Sequence, residues 1–359
     1  MTTLRLGTRR SALAMAQSRW VATQLAALGV ETEIVPISTF GDESIAHLTT
    51  IGGTGVFAAA IRQALLAGRI DLAVHSLKDL PVAPEPGLVV AAVPVRDDPR
   101  DALVARDGLT LGELPAGATV GTGSPRREAQ LAALGLGLEV RPVRGNVDTR
   151  IQRVRGGDLD AVVLARAGLS RLGRLEEITE TIDPLQMLPA PGQGALAVEC
   201  REDDLALRAS LAQLDDPDTR VCVVAERALL AALEAGCTAP IGALAEVVEG
   251  ADGLELALRA FVGSVDGSVE LRRSLTEPLP PAADGPSDPG DAGARPDVDH
   301  AEWVGRRLAA VLLEDGAAEI AALPSPATLP DGIPRPAPTV LAPSGAPTAP
   351  HPQTTEQVP

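Results

Sequence analysis

The chain has one lysine, Lys78; the other 30 of its 31 basic residues are arginine. It has no tyrosine, and aromatic residues make up 1% of its 359 positions. Stacking of bases or pyrroles on an aromatic platform is therefore not expected to dominate any site, which argues against a single-strand nucleic-acid surface. The net charge of −17 argues against generic polyanion binding as well. Three cysteines, Cys200, Cys222 and Cys237, form no Cys-x-x-Cys pair and leave one over. Such a set supports neither a disulfide framework nor a zinc site. The four histidines are scattered, so no metal is expected. No uncharged apolar run is long enough to span a bilayer, and the first residues lack the apolar stretch of a secretory leader. A cytoplasmic protein without membrane or nucleic-acid partners is the expectation.

Apolar residues are plentiful at 45%, so the cores must be built from Ala, Val, Leu and Ile. The first 95 residues alternate strand and helix signals: strands at Leu4–Leu6, Glu31–Ser38, Ile70–Val74 and Leu88–Val95, helices at Ala12–Leu28 and Val56–Ala67. Alternation of this kind predicts a mostly parallel sheet. Arg96–Arg100 breaks the pattern as a crossover, and a second α/β segment follows. Its strands are expected at Ala118–Gly121, Leu138–Val143 and Ala161–Ala165, with helices from Ser124 and Asn146. The turn-rich Pro189–Gly194 leads into a strand at Ala195–Cys200 that rejoins the first sheet. The expected fold is therefore α/β, with two lobes around a cleft and a small α+β C-terminal domain. The expected boundaries are 1–95 with 195–215, 96–194, and 216–323. The third domain is expected to hold a long helix from Pro217 to Ala235, two strands at Leu254–Val262 and Ser268–Leu275, and a helix at Ala301–Leu313. Glu277–Asp299 reads as a disordered insertion. The segment 324–359, with eleven prolines and almost no charge, reads as a flexible tail.

Charge is uneven. Gly121–Arg174 carries ten arginines against five acids, a net of +5, which leaves −22 for the remainder. A basic island in an acidic chain suits a small anion. Within it, Gly121-Thr122-Gly123-Ser124-Pro125-Arg126-Arg127 combines a capping serine, a proline suited to the first helical position, and two guanidinium forks. The free amides of such a helix start favour negative charge. Arg144-Gly145-Asn146-Val147-Asp148-Thr149-Arg150 repeats the arrangement one unit later. Thr8-Arg9-Arg10-Ser11 does so at the end of the first strand of the facing lobe. Together they suit a ligand with several carboxylates. Lys78 stands in Val74-His75-Ser76-Leu77-Lys78-Asp79-Leu80-Pro81, just past a strand, where ligand chemistry gathers in open α/β sheets. Lysine and aspartate are tunable by burial in a way that arginine is not. Gly52-Gly53-Thr54-Gly55 lacks the Gly-Lys of a Walker A loop, and no Gly-x-Gly-x-x-Gly is present, so nucleotides are disfavoured. Cys237 falls on a loop after a helix; Cys200 and Cys222 fall in apolar patterns and read as core. By position alone a loop cysteine is more often incidental than reactive. His75 reads as structural.

Seven segments, in order, resemble the porphobilinogen deaminase (hydroxymethylbilane synthase) family. They are Arg9-Arg10-Ser11, Gly52-Gly53-Thr54-Gly55-Val56-Phe57, His75–Pro81, Gly123–Arg127, Arg144–Arg150, Pro191-Gly192-Gln193-Gly194-Ala195 and Gly236-Cys237-Thr238-Ala239-Pro240-Ile241-Gly242. The resemblance covers about residues 3 to 323. It implies a three-domain transferase of tetrapyrrole and heme biosynthesis whose first two domains look like periplasmic binding proteins. The expected reaction condenses four porphobilinogen molecules head to tail, releases ammonia, and yields the linear tetrapyrrole hydroxymethylbilane. Cys237 matches the cysteine that carries a dipyrromethane cofactor through a thioether. Asp79 matches the catalytic carboxylate. Lys78, Ser124, Arg126, Arg127, Arg144 and Asn146 match cofactor-binding positions. Arg9, Ser11, Arg144 and Arg150 match positions that bind substrate carboxylates. The implied partners are porphobilinogen and the growing oligopyrrole, and a monomer is expected. Thr50 and Thr54 stand where the family often has lysine. Two other classes remain on the residues themselves: a non-catalytic two-lobed binder of a small dicarboxylate, and a pyridoxal-phosphate enzyme using Lys78.

Overall fold

A computed structural model describes residues 3–38, 56–234, 239–264, 266–280 and 297–321. The Gly52–Gly55 loop with Thr50 and Thr54, Cys237, and the tail 324–359 lie outside the described residues.

Three sheets organise the described residues. The first has the order β2-β1-β3-β10-β4, built from β1 (Leu4–Arg9), β2 (Thr32–Ile37), β3 (Leu72–Ser76), β4 (Leu88–Ala92) and β10 (Leu196–Arg201). β1 runs parallel to β2 and β3, whereas β10 is antiparallel to β3 and β4. The second has the order β7-β6-β8-β5-β9, from β5 (Asp101–Ala105), β6 (Thr119–Thr122), β7 (Glu139–Pro142), β8 (Ala161–Ala165) and β9 (Glu180–Thr181). β6 is parallel to β7 and β8, and β5 is antiparallel to β8 and β9. The two lobes thus share one plan. In each, the strand reached through a crossover is the antiparallel insert. β5 was not foreseen, because the charged run before it masks the start of a strand that is buried throughout.

Local signals explain the helices. In α1 (Ala12–Ala27) the Ser11 hydroxyl accepts from Ala14 N at 3.3 Å, and Gly29, at φ +80°, ends the turn that follows. α2 (Val56–Leu66) packs Ile61, Ala64 and Leu65 onto the first sheet. α3 (Pro125–Ala133) starts with proline as expected, but Ser124 makes no side-chain cap bond. α4 (Val147–Arg155) is capped by Asn146, whose Oδ1 accepts from Thr149 N at 2.8 Å. α5 (Arg166–Arg171) and α6 (Leu205–Leu211) are short and carry no long periodic signal.

The third sheet is antiparallel, in the order β11 (Ile241–Glu249), β12 (Leu254–Gly263), β13 (Glu270–Pro278). β11 corrects the expectation of two strands. α7 (Pro217–Ala232) and α8 (Val298–Glu314) pack on this sheet, burying Val221, Ala225 and Leu229 against Val304, Leu308 and Leu312. Gly305 permits their close approach, since a Cβ there would lie 2.2 Å from the Ala225 carbonyl oxygen. Short α9 (Ala317–Ile320) closes the domain. Both ends of the expected insertion Glu277–Asp299 are ordered elements: Glu277 and Pro278 end β13, and Asp297 caps α8, where Asp299 falls in the first turn; residues 281–296 lie outside the described residues. Cys200 and Cys222 are core residues whose thiols burial pushes up to about 11 and about 12. Among the described residues no helix is long and apolar enough to cross a membrane.

The two crossovers run side by side and are pinned to the third domain. Asp97 N donates to Gly194 O at 3.2 Å. Gly194 sits at φ +87°, and a Cβ there would lie 2.4 Å from the Asp97 oxygen. Glu226 of α7, with a fully buried side chain, receives the Arg96 fork at 2.7 and 3.0 Å, Gly192 N at 2.6 Å and Ala245 N at 2.9 Å. One carboxylate therefore ties both crossovers and β11 together. Such a charge is tolerated inside only because every lone-pair direction is met.

Candidate active site

β3 ends at Ser76, and a single 3-10 turn, Leu77-Lys78-Asp79, follows. Leu77 and Leu80 are buried, so the turn is anchored at both sides and Lys78 and Asp79 are carried to the cleft between the lobes. Arg227 of α7 locks it, donating to Leu77 O at 3.3 Å, Leu80 O at 3.0 Å and Pro81 O at 2.7 Å. Lys78 is half-buried, yet protein surrounds its ammonium. That burial lowers its pKa to about 8, with Asp79 opposing and Arg127 adding to the fall. Lys78 Nζ donates to Gln193 Oε1 at 3.2 Å. The Asp79 carboxylate is exposed.

The facing wall is the start of α3. Its two arginines are not the free forks that the sequence suggests; both are buried and share Asp101, the first residue of β5. Arg126 donates to Asp101 Oδ2 at 2.8 Å and to Leu188 O. Arg127 donates to Asp101 Oδ1 at 2.7 Å and to Val163 O at 2.9 Å. Asp101 is fully buried, which by itself raises a carboxyl pKa. The two guanidiniums, with hydrogen bonds from Arg127 and Gln193, outweigh that and hold it well below the usual carboxylate range. Arg150 joins the same wall; burial and then the neighbouring Arg127 lower its pKa, and its Nε donates to Gly145 O at 2.9 Å.

Lys78, Asp79, Ser124, Arg126, Arg127, Arg150, Gln193 and Ile241 line an open cleft of about 250 Å³. Its four cations face two carboxylates, Asp79 and the deeper Asp101, and the excess positive charge suits an anionic ligand. A second, smaller cavity of about 60 Å³ lies in the first lobe, lined by Arg9, Ser11, Gln17, His75 and Asp79. Asp79 borders both. His75 is buried with Nε2 3.3 Å from Glu199 Oε2, and Glu199 in turn takes Arg62 at 2.9–3.2 Å. Arg144 and Asn146 are exposed and are not among the residues lining either cavity. Ala239 and Ile241, two and four residues after Cys237, do line the larger one; Cys237 itself lies outside the described residues.

Two family models match: "Porphobilinogen deaminase, dipyromethane cofactor binding domain" over residues 4–209, and "Porphobilinogen deaminase, C-terminal domain" over residues 220–314. The chain belongs to the porphobilinogen deaminase family. A porphobilinogen deaminase of Nocardia farcinica is 57% identical over 324 residues, covering 89% of this chain and 88% of that protein. One from Mycobacterium tuberculosis is 61% identical over 276 residues, covering 76% of this chain and 89% of its own length. Among solved structures, a periplasmic substrate-binding protein of an ABC transporter from Coxiella burnetii aligns at 16% identity with a TM-score of 0.38. It covers 60% of this chain and 94% of its own.

The family's first domain holds a dipyrromethane, and the donor set here fits such a group. The Nε atoms of Arg126 and Arg127 are buried and have no hydrogen-bond partner among the described residues. A buried donor left unmet costs about 1–3 kcal/mol. Carboxylates of a ligand seated in the cleft would lie against the charged groups to which those atoms belong. Asp101, Gln193, Glu226 and Arg227 were not foreseen as site residues. The signal for Asp101 was present: a lone acid opening an otherwise apolar strand, Ala102–Ala105, requires a buried cation beside it.

Proposed function

We propose that this chain condenses four porphobilinogen molecules head to tail, releasing ammonia, to give hydroxymethylbilane, with Cys237 as the covalent anchor of the dipyrromethane. The observation that carries the reading is that Asp79 borders both cavities: the one walled by Lys78, Arg126, Arg127 and Arg150, and the one walled by Arg9 and Ser11. A carboxylate at that junction can serve an incoming ring on one side and an anchored ring on the other. When bound, the dipyrromethane supplies the nucleophilic pyrrole carbon that begins the chain. Arg9 and Ser11 bind the acetate and propionate of the incoming porphobilinogen. Arg126, Arg127, Arg150, Lys78 and Ser124 hold the carboxylates of rings already anchored; Arg144 and Asn146, at the exposed start of α4, complete the expected set of cofactor contacts. Asp79 holds the proton of the departing amine and accepts a hydrogen bond from the pyrrole N–H, where positive charge develops as ammonia leaves. The same reading takes 1–95 with 195–215, 96–194 and 216–323 as domains, and a cytoplasmic monomer as the working form.

Intact mass of purified protein tests the reading. An adduct of two pyrrole units is expected, and it is absent in Cys237→Ser. Wild-type protein at its bare sequence mass, after expression with porphobilinogen supplied, would overturn the anchor.

A further inference from the structure

The return crossover Pro191-Gly192-Gln193-Gly194 has no chemical part in the mechanism above, yet Gln193 is fully buried between the two walls of the cleft. Its Nε2 donates to Pro99 O at 2.7 Å and to Asp101 Oδ1 at 2.8 Å, and its Oε1 accepts from Lys78 Nζ at 3.2 Å. Its backbone carbonyl accepts from Arg96 Nε at 2.8 Å. The amide cannot flip. Reversed, its NH2 would face an ammonium, and its oxygen would face a carbonyl and a carboxylate. Gln193 therefore joins the only lysine to the carboxylate that already aligns Arg126 and Arg127.

We propose that Gln193 is a positioning residue for the bound dipyrromethane: its locked amide holds the Lys78 ammonium beside Arg126 and Arg127, so that one ligand meets three cations at a fixed spacing. This rests on reading the cleft as the dipyrromethane site. The charged groups facing Lys78 are Asp79 on its own turn, Asp101 on β5, and Arg126 and Arg127 on α3. The two arginines push the ammonium toward deprotonation, and the neutral amide oxygen is the acceptor that Lys78 reaches by hydrogen bond.

Because the chain has one lysine, isotopically labelled lysine yields a single side-chain NMR signal that needs no assignment. We would titrate it in the adduct-bearing protein and in Cys237→Ser. The adduct-free Cys237→Ser protein is expected to titrate at about 8, and the adduct-bearing protein higher, because ligand carboxylates beside Lys78 favour its charged form. Gln193→Leu removes the acceptor, and the midpoint falls by about half a pH unit or more. Gln193→Glu, protonated on the oxygen that faces the Pro99 carbonyl and Asp101, keeps a neutral acceptor for Lys78 and leaves the midpoint within about half a pH unit of the unchanged protein. The adduct-bearing fraction of Gln193→Leu, read by intact mass, falls as well. A residue that only fills space would not move the Gln193→Leu midpoint. An unchanged Gln193→Leu midpoint, or an equal fall in Gln193→Glu, overturns the proposal. If Gln193→Leu does not fold, Gln193→Ala, which also lacks the acceptor, is read in the same way. A wild-type protein without adduct would sink the dipyrromethane reading, while the titration in Cys237→Ser still measures the coupling of Gln193 to Lys78.

Discussion

Replacing Asp101 by Asn isolates the charge at the centre of the cleft wall. The amide keeps the shape of the carboxylate, so little cavity is created. What it removes is the countercharge for two guanidiniums that are themselves buried. Breaking a buried pair by deleting one partner costs about 3–5 kcal/mol, because the other charge stays inside uncompensated. At about 2–4 °C per kcal/mol for a unit of this size, the melting temperature falls by roughly 6–20 °C. The drop is larger in Cys237→Ser than in adduct-bearing protein, since ligand carboxylates near Arg126 and Arg127 replace part of the lost charge. Adding Arg127→Met removes one orphaned guanidinium and recovers part of the loss. The pH dependence follows from the depressed Asp101 pKa. Its stabilisation is fully present above the unfolded value of about 4, and disappears as pH falls through the lower folded value. Scanning calorimetry of the four proteins, with and without the second substitution, reads all of this. A fall of under about 2 °C for Asp101→Asn in Cys237→Ser protein would refute the argument that this carboxylate balances the arginine pair.

Two further outcomes are expected. Asp79→Asn changes an exposed side chain, so stability moves by less than about 0.5 kcal/mol while steady-state release of ammonia falls about 100- to 10,000-fold; near-normal turnover would remove Asp79 from the chemistry. Cys200 and Cys222, with thiols pushed up to about 11 and about 12, react slowly with a disulfide reagent at pH 8, so adduct-bearing native protein should show almost no fast thiol and denatured protein two. A fast thiol at full stoichiometry in native, adduct-bearing protein would contradict the anchor at Cys237.

Most of the fold was legible because its core strands are short, apolar runs between glycine and proline stops. Ala161–Ala165 is a short apolar run between Asp160 and Arg166, with glycines a few residues beyond on each side, and the strand has those bounds. β5 and β11 were not legible, for different reasons. β5 follows Arg96-Asp97-Asp98-Pro99-Arg100, whose charges look like a surface turn; in the fold they are absorbed by Arg166, Arg171, Glu226 and each other. β11 begins at Ile241, immediately after a segment whose letters point to chemistry. A strand that starts at the edge of a site carries two messages in one stretch, and the functional one hid the structural one.

The site divides along the same line. Lys78, Asp79, Arg126, Arg127 and Arg150 were legible because each stands just past a strand or at a helix start, where side chains reach the cleft. What one dimension cannot display is which of those charges is already spent. Arg126 and Arg127 look like free cations in the sequence. In the fold, Asp101 binds one N–H of each, and Leu188 and Val163 carbonyls take another. The pair therefore presents to a ligand not two full positive charges but one, shared across two guanidiniums of fixed orientation. That is a better design for a site that must release as well as bind. Under the proposed reading, unbalanced cations would hold every carboxylate of a growing chain tightly, whereas a pair already half neutralised holds each more weakly and lets the chain advance.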